Sequence, residues 1–474
     1  MITVKKRHTI ILLAILFSFS GCKKWLDVSP KTEIRESILL SDEQGFKDAL
    51  LGTYTLLGQP ATYGTNLTMG VLDGMAQRYN AAATTHIFYY PARYDYTNTA
   101  SKNFISNIWG GLYSGVANLN NVLTQIDGKM DVFTGNNYSV VKGEALALRA
   151  LLHFDLLRLF GVAPVMDGTR ESIPYVTKFG MTVYPLLPVN AVIDSCLRDL
   201  AEAEQLLSLD KSIVLENTAD PFRSYTRNHM NYWSVKGLQA RIHLYRGDKE
   251  KALAAAKEVI DNQATYFPFV VPSSASASVN RDRTYATEHL FALNVLKLKD
   301  ITESYTKTST VGGIPTLVHT TSNINTLFES SAGGSSDLRY VYLFTAYSTS
   351  SATTKYWQDD LNAEYLKGNI PIIRLSEMYY IAAESAPDPA VGVEYLNMVR
   401  SKRGLAALNS SISATALQAE ILKEYKKEFY AEGQLFYYFK RLNAARIDGS
   451  TVNMSEQTYV FPLPENEIEF ANRF

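Results

Sequence analysis

The sequence contains little cysteine and little histidine. Its 474 residues include two cysteines and seven histidines, and the histidines are scattered along the chain. Two cysteines cannot build a disulfide framework, and no histidine or cysteine has the spacing of a zinc site. The chain also lacks a Gly-x-Ser-x-Gly nucleophile elbow and a glycine-rich phosphate loop. No motif therefore supports a catalytic centre, a metal ion or a cofactor.

The chain also lacks a large net charge of either sign. The formal net charge is -1, and no cluster of lysine and arginine follows residue 24. Because nucleic-acid binding requires a basic patch or stripe, we expect no nucleic-acid partner.

The first 22 residues have the pattern of a secretory signal. A Lys-Lys-Arg segment precedes an apolar run over residues 10–19, which is too short to span a bilayer. The run ends in Phe-Ser-Gly-Cys22, a small-small-cysteine ending that resembles a bacterial lipobox, in which the cysteine is acylated. We predict a lipoprotein signal peptide over residues 1–21 and a lipid anchor on Cys22. The alternative is an ordinary signal peptide with a chance cysteine.

Apolar residues at helical spacing dominate the rest of the chain. The clearest case is residues 233–262, where two amphipathic stretches flank Gly247-Asp248 and small alanines lie where two helices would cross. This pattern is typical of a tetratricopeptide-type hairpin, which needs neighbours to bury its apolar face. We therefore predict a mostly α fold of tetratricopeptide-like hairpins forming a right-handed scaffold. The predicted pairs are 46–57 with 104–126, 140–160 with 191–207, 233–246 with 249–262 and 375–386 with 390–403, followed by one long helix at 414–441.

Three stretches lose the helical period and are rich in turn-forming or small polar residues. They are residues 58–103, 161–190 and 263–370. We interpret them as loop-rich insertions in a single domain over residues 22–474. The third insertion contains minor β-structure, predicted at residues 290–293 and 340–344. Loops on a rigid scaffold are where binding residues tend to lie.

An aromatic loop, FYYPARYDY at residues 88–96, is the strongest candidate for ligand binding. Sugar rings can stack their C–H faces on aromatic rings, while Arg and Asp satisfy hydroxyl groups, and a peptide could use the same surface. The alternative is that these tyrosines pack the loop onto the scaffold. The candidate residues are Tyr89, Tyr90, Arg93, Tyr94, Asp95, Tyr96 and, from the third insertion, Trp357.

Three carboxylates, Glu424, Glu428 and Glu432, are spaced four residues apart and share one face of the predicted last helix. Such a set could serve as an acid and base pair or as metal ligands. A salt-bridged layer that joins the last helix to the preceding hairpin explains the same charges, because lysines and arginines are available and no Glu-x-x-His pattern accompanies the carboxylates. We therefore predict no catalytic residue and no enzyme.

Several motifs occur in one order along the chain. They are Cys-Lys-Lys-Trp-Leu-Asp from Cys22, WGGLYSGVANLNN from Trp109, EALALRALLHFDLLRLFGVAP from Glu144, residues 371–403, EFYAEGQLFYYFKR from Glu428 and Phe-Pro-Leu-Pro from Phe461. Together they resemble the SusD/RagB family of outer-membrane nutrient-binding lipoproteins of Bacteroidetes. Tyr425 and the Tyr437-Tyr438-Phe439 step depart from that family's usual residues, which indicates a divergent subfamily.

The resemblance implies a binding protein at the outer membrane, exposed on the cell surface and held by its lipid. It implies a SusC-like, TonB-dependent transporter as partner, over which the protein would act as a lid. An oligosaccharide is the first expected ligand and an oligopeptide the second. The alternative hypothesis, from another functional class, is a secreted helical-repeat adaptor that binds only protein.

Overall fold

The computed structural model describes residues 39–307 and 315–473. The predicted signal peptide and Cys22 therefore lie outside the described residues. Helix accounts for 56% of the structure and strand for 7%. The prediction of a mostly α fold with minor β-structure is confirmed.

The α-helices follow one another along most of the chain. They are α1 (Glu43–Leu57), α2 (Val71–Met75), α3 (Thr99–Ile126), α4 (Asn137–Phe160), α5 (Pro164–Asp167), α6 (Val189–Leu207), α7 (Tyr232–Arg246), α8 (Lys249–Asp261), α9 (Gln263–Tyr266), α10 (Pro272–Ala275), α11 (Leu298–Thr306), α12 (Thr321–Leu327), α13 (Leu338–Tyr342), α14 (Leu375–Ser385), α15 (Pro389–Lys402), α16 (Ala414–Glu428), α17 (Gln434–Arg441), α18 (Glu456–Tyr459) and α19 (Glu465–Phe470).

The predicted helical pairs are all present. Helix α1 packs on α3, α4 on α6, α7 on α8, and α14 on α15. Neighbouring pairs also touch, because α3 packs on α4, α6 on α7, and α8 on α14. Each hairpin thus buries its apolar face against the next one, as repeat architectures require.

Helix α4 is buried on every side, although its sequence indicates one apolar stripe. Four of its charged residues are buried as well, and each has a partner: for example, Arg149 binds Asp199 at 2.7 Å, and Glu144 accepts a hydrogen bond from Tyr54 Oη at 2.6 Å. A buried charge is tolerated only when it is paired in this way. Helix α4 is therefore the centre of the scaffold and not a surface helix.

The predicted long helix at residues 414–441 is wrong, since the chain turns between α16 and α17. Ala431 and Gly433 have left-handed φ angles of 65° and 70°. A side chain at Gly433 would meet Leu67 O at 2.2 Å, so only glycine fits there. The carboxylate of Asp73 accepts hydrogen bonds from the N–H groups of Ala431, at 2.6 Å, and Gly433, at 3.0 Å. A contact from the distant helix α2 therefore stabilises the break.

The strands form three small antiparallel sheets. Strand β1 (Glu171–Ile173) pairs with β2 (Leu187–Pro188), β3 (His289–Asn294) pairs with β7 (Asn369–Arg374), and β6 (Ser350–Thr353) lies between β4 (Val318–Thr320) and β5 (Phe344–Tyr347). The strand predicted at residues 290–293 is confirmed. The one predicted at 340–344 is largely wrong, because the Asp337 side chain caps α13 at the N–H of Arg339 and the strand starts only at Phe344.

The first and third insertions meet each other. The N–H of Asn80 donates to Val318 O at 2.8 Å, and His86 Nε2 lies 3.1 Å from Thr316 O. Residues far apart in sequence therefore form one loop-rich face on the helical scaffold. No described helix has both the length and the apolar composition needed to cross a membrane.

Candidate functional site

A cavity of about 370 Å³ opens where the two insertions meet, and we call it the loop cavity. Its lining comes from residues 76–78 of the first insertion, from β4, α12 and Glu329 of the third, and from α16, α17 and residues 448–449. The volume falls in the range of small-molecule and oligomer sites, which is about 300–1,000 Å³.

Arg78 and Tyr430 form the floor of the loop cavity, and both are buried. The Arg78 guanidinium lies 4.5 Å from the centre of the Tyr430 ring, and its Nη2 donates to Lys426 O at 2.6 Å. Tyr430 Oη in turn donates to Arg78 O at 2.7 Å. These contacts hold a cation and an aromatic ring in one fixed arrangement beneath the opening.

One wall of the loop cavity carries His319 and Asn323. Burial and, to a smaller extent, the positive charge of Arg78 together lower the pKa of His319 to about 4. The imidazole is therefore neutral at pH 7, and its Nδ1 accepts the N–H of Thr320 at 2.8 Å. Asn323 is exposed beside it, with Nδ2 at 2.9 Å from His319 Nδ1. This wall offers uncharged hydrogen-bonding groups to a ligand.

The charges on the rim of the loop cavity are paired. Lys423 Nζ binds Glu329 at 2.9 Å, and Lys426 binds Asp448. Burial alone would raise the pKa of Glu329, but hydrogen bonds from Lys423 and Lys427 outweigh it and leave the pKa lowered. Because the carboxylates and the lysines neutralise each other, the rim does not select a strongly charged ligand.

Two residues that line the loop cavity have strained backbones. Gln77 has a φ of 57° and Glu329 a φ of 51°, in the left-handed region that residues with a side chain rarely adopt. Such strain costs about 1–3 kcal/mol per residue and occurs most often at binding and active sites. The Gln77 side chain also donates to Ala92 O at 2.7 Å, which ties the cavity wall to the aromatic loop.

Some residues of the aromatic loop pack against the scaffold, and others are more accessible to solvent. Tyr94 is buried and donates to Met75 O at 2.8 Å, while Tyr96 Oη donates to Thr458 O at 2.5 Å. Tyr89, Tyr90 and Arg93 are half-buried, and the Arg93 guanidinium lies 3.7 Å from the centre of the Tyr89 ring. The loop is thus held by two tyrosines and presents a stacked aromatic and cationic pair.

None of the seven candidate residues belongs to the lining of the loop cavity, and the last two are Asp95 and Trp357. Asp95 is half-buried, and its Oδ1 accepts hydrogen bonds from the hydroxyl of Thr97 at 2.7 Å and from its N–H at 3.1 Å. Trp357 donates from Nε1 to Thr306 Oγ1 at 2.8 Å, and Lys307 Nζ lies 4.8 Å from its ring centre. That the seven candidates contact a ligand remains a prediction.

Most residues of the loop cavity could not be identified from the sequence. Arg78, His319 and Asn323 stand in predicted loops with no motif, and Tyr430 lies in the motif from Glu428 that was predicted to be helical, with no sign that it faces a cavity. They converge through the contacts of the first insertion with the third and with the break after α16. No spacing within one segment could have indicated this.

The predicted salt-bridged layer is present, and we call it the ion network. Glu428 accepts from Arg374 Nη1 at 2.5 Å, from Arg403 Nη2 at 2.6 Å and from Arg339 Nη1 at 2.9 Å. Burial alone would raise the pKa of Glu428, but these guanidiniums, Arg403 first, hold it well below its usual range. The other members are Glu288, Asp337, Lys355, Arg400, Glu424, Lys427 and Glu432.

The ion network does not have the geometry of an acid and base pair. The side chains of Glu424 and Glu428 are completely buried, and Glu432 lies beyond the end of α16 with Arg374 Nη2 2.9 Å away. Each carboxylate is bound by cations, so none is free to take a proton from a substrate. Arg339 and Lys355, two partners that the sequence did not indicate, come from the third insertion.

Two family profiles match the chain. Residues 24–219 match a SusD-like profile described as starch-binding and associating with the outer membrane, and residues 319–459 match the SusD family profile. Two SusD-like proteins of Formosa agariphila are 20% and 21% identical over 299 and 266 residues, or 62% and 55% of this chain. The alignments cover 53% and 47% of those proteins, so the chain spans about half the length of the curated relatives it matches.

Solved structures share the fold at low sequence identity. A SusD superfamily protein from Bacteroides thetaiotaomicron has a TM-score of 0.71 at 21% identity and covers 90% of this chain and 98% of its own. A SusD-like carbohydrate binding protein from Bacteroides vulgatus has a TM-score of 0.71 at 18% identity, with 92% and 97% covered. The two profiles, over residues 24–219 and 319–459, both describe SusD-type proteins, so the chain belongs to the SusD/RagB family.

Proposed function

We propose that this protein is a cell-surface lipoprotein that binds an oligomeric nutrient, a glycan in the first place, and delivers it to a SusC-like, TonB-dependent transporter. The observation that carries the proposal is the loop cavity, where both insertions predicted to hold ligand residues come together on a rigid helical scaffold. A binding surface on a fixed scaffold loses little conformational entropy when a ligand arrives.

The chemistry of the loop cavity favours a neutral glycan over a charged ligand. Its walls offer the amides of Gln77 and Asn323, the hydroxyl of Thr326 and the neutral imidazole of His319. These groups suit sugar hydroxyls, which both donate and accept hydrogen bonds. The paired rim charges are engaged with each other, and Arg78 is the one lining cation among the described residues without an ion pair, so the cavity offers few charges to the termini or acidic side chains of a peptide.

We assign the aromatic loop to the same binding surface. Tyr89, Tyr90 and Arg93 would stack on and hydrogen-bond to sugar units that extend beyond the cavity, since Gln77 joins the two parts through Ala92. Tyr94 and Tyr96 would hold the loop in place through their hydroxyl groups, so their loss would act indirectly. Asp95 and Trp357 would border the surface.

Affinity electrophoresis against neutral polysaccharides, followed by calorimetry with the matching oligosaccharides, tests this assignment. His319→Ala with Asn323→Ala should weaken binding about tenfold or more, because each lost hydrogen bond is worth about 0.5–1.5 kcal/mol. Tyr89→Ala should weaken it by a similar factor. Tyr365→Ala is the matched control, since Tyr365 is exposed and lies outside both parts of the surface.

Unchanged retention of every bound polysaccharide by these variants would remove the loop cavity and the aromatic loop as the ligand site. Binding of oligopeptides, lost in the same variants, would instead favour the peptide alternative. If this protein co-purifies with a protein partner and calorimetry detects no heat of binding with any small ligand, the secreted adaptor is supported.

The anchor and the transporter need their own test. The proposal requires that Cys22 carries acyl chains, which mass spectrometry of the mature protein would show, and that Cys22→Ala releases the protein from the membrane fraction. It also requires co-purification of a TonB-dependent transporter with the anchored form. A mature protein without acyl chains would rule out the lipoprotein.

A further inference from the structure

A second, much smaller cavity lies inside the helical scaffold, away from the loop face. It is lined by α4, α7, α14, α16 and α17 and has a volume of about 30 Å³. A water molecule needs about 10–15 Å³ of such space, so the cavity has room for two waters or one monatomic ion.

Three hydrogen-bond donors that line this cavity have no partner among the described residues. They are Arg241 Nη1, Tyr245 Oη and Tyr437 Oη. Their residues are buried, with 6%, 5% and 4% of their surface exposed. An unsatisfied buried polar group costs about 1–3 kcal/mol, and a charged group costs more. Three such groups around one space indicate that a guest satisfies them.

The carboxylate and amide oxygens on the lining are already engaged. Both carboxylate oxygens of Glu377 accept from Arg241, through Nε and Nη2 at 2.6 Å each. Gln434 Oε1 accepts from Arg158 Nη1 at 3.2 Å. The cavity therefore has a surplus of donors, and a guest that only accepts hydrogen bonds matches this surplus.

The charges that line the cavity are mainly positive. The guanidiniums of Arg158, Arg241 and Arg441 belong to the lining, whereas Glu377 is its one carboxylate among the described residues. Asp155 and Glu384 pair with Arg158 and Arg441 but do not line the cavity. Each of the three guanidiniums is thus paired with a carboxylate, and a guest meets the unpaired Nη1 of Arg241 together with the two tyrosine hydroxyls. In a region of low dielectric, hydrogen bonds from such groups to an anion are strong.

We propose that this cavity binds a small monovalent anion of the size of chloride, held by Arg241 Nη1, Tyr245 Oη and Tyr437 Oη. Arg241 and Tyr245 belong to α7 and Tyr437 belongs to α17, so the ion joins the middle of the scaffold to its last helix. The site is independent of the nutrient, because it shares no lining residue with the loop cavity.

The direct test is a crystal structure of the mature protein prepared in sodium bromide, with anomalous data collected at the bromine edge. We expect an anomalous peak within hydrogen-bond distance of Arg241 Nη1 and both tyrosine hydroxyls. Ordered waters only at this position, with no anomalous signal, would overturn the proposal.

A solution test compares melting temperatures in sodium chloride and in sodium gluconate at equal ionic strength. Chloride at about ten times its dissociation constant should raise the melting temperature by about 1–2 °C, since only the folded state binds it. Tyr437→Phe should lose this difference. Tyr285→Phe is the matched control, because Tyr285 also has a buried, unpaired hydroxyl among the described residues but lies outside the cavity. An equal chloride effect in wild type and Tyr437→Phe would refute the site.

Discussion

Helix α16 separates two clusters of charged side chains. Glu424 and Glu428 extend from it into the ion network, while Lys423 and Lys426 extend from it to the loop cavity. The residue types are similar and the positions are adjacent in sequence. The difference is burial: every charge in the interior must be bound, whereas the open side leaves amides, hydroxyls and an imidazole accessible.

The two clusters should differ accordingly in energy. Breaking a buried ion pair leaves an uncompensated charge in a region of low dielectric and costs about 3–5 kcal/mol. A solvent-exposed pair contributes only about 0–1 kcal/mol, because water screens it. The ion network therefore fixes the fold, and the loop cavity is free to serve binding.

Glu428→Gln should have the largest effect on stability and is the strongest test of the difference between the two clusters. The amide has the same shape but leaves Arg339, Arg374 and Arg403 short of one negative charge. We expect the free energy of unfolding to fall by about 3–5 kcal/mol in urea titrations. Glu394→Gln, on the exposed side of α15, is the control and should change it by less than about 0.5 kcal/mol. Equal effects of the two substitutions would show that burial is not the cause.

The next test concerns Asp73, which connects the two clusters by holding the break between α16 and α17. Burial raises the pKa of Asp73 to about 7, although Arg78 and the N–H groups of Ala431 and Gly433 favour the carboxylate. The folded state therefore holds a proton that the unfolded state has lost between about pH 4 and pH 7, and this group makes the protein less stable as the pH rises through that range.

Asp73→Asn should remove that contribution. Between pH 4 and pH 7 the stability of the wild type should fall relative to the variant by about 2–4 kcal/mol, since one pKa unit corresponds to about 1.4 kcal/mol. Unfolding free energies measured at several pH values give the difference directly. Asp300→Asn, an exposed control, should keep the wild-type pH dependence. A constant difference between wild type and Asp73→Asn would contradict the raised pKa.

The smallest effect is expected at the rim of the loop cavity. Asp448→Asn removes the partner of Lys426, but the Asp448 side chain is 75% exposed. We expect the free energy of unfolding to change by less than about 0.5 kcal/mol in the same urea titrations. A loss of several kcal/mol would mean that the rim belongs to the structural core, and the contrast between the two clusters would fail.

The helical pairs were predictable because each depends on local periodicity. The stretches around Leu238 and Val259 show an apolar side at helical spacing, and α7 and α8 follow it. The break after Glu428 was not predictable, since residues 424–432 continue the same spacing of carboxylates. Only Asp73, from helix α2 more than 300 residues earlier in the chain, shows why the helix ends there.

The candidate site was predictable in its regions and not in its residues. The aromatic loop was identified from composition, yet composition cannot separate Tyr94, whose hydroxyl binds Met75 O, from Tyr89, which stacks with Arg93. That distinction depends on which side of the loop faces the scaffold. It is set by packing against residues such as Met75 and Thr458.

The sequence by itself determined the helical scaffold and the family, because periodicity and ordered motifs are properties of neighbouring residues. The tertiary structure alone decided that Arg78, His319, Asn323 and Tyr430 share one cavity and that Glu428 is enclosed by three guanidiniums. These arrangements depend on contacts between segments that are distant in sequence. The residues next to a charged side chain do not indicate which distant side chain will neutralise it, or whether it will stay accessible to a ligand.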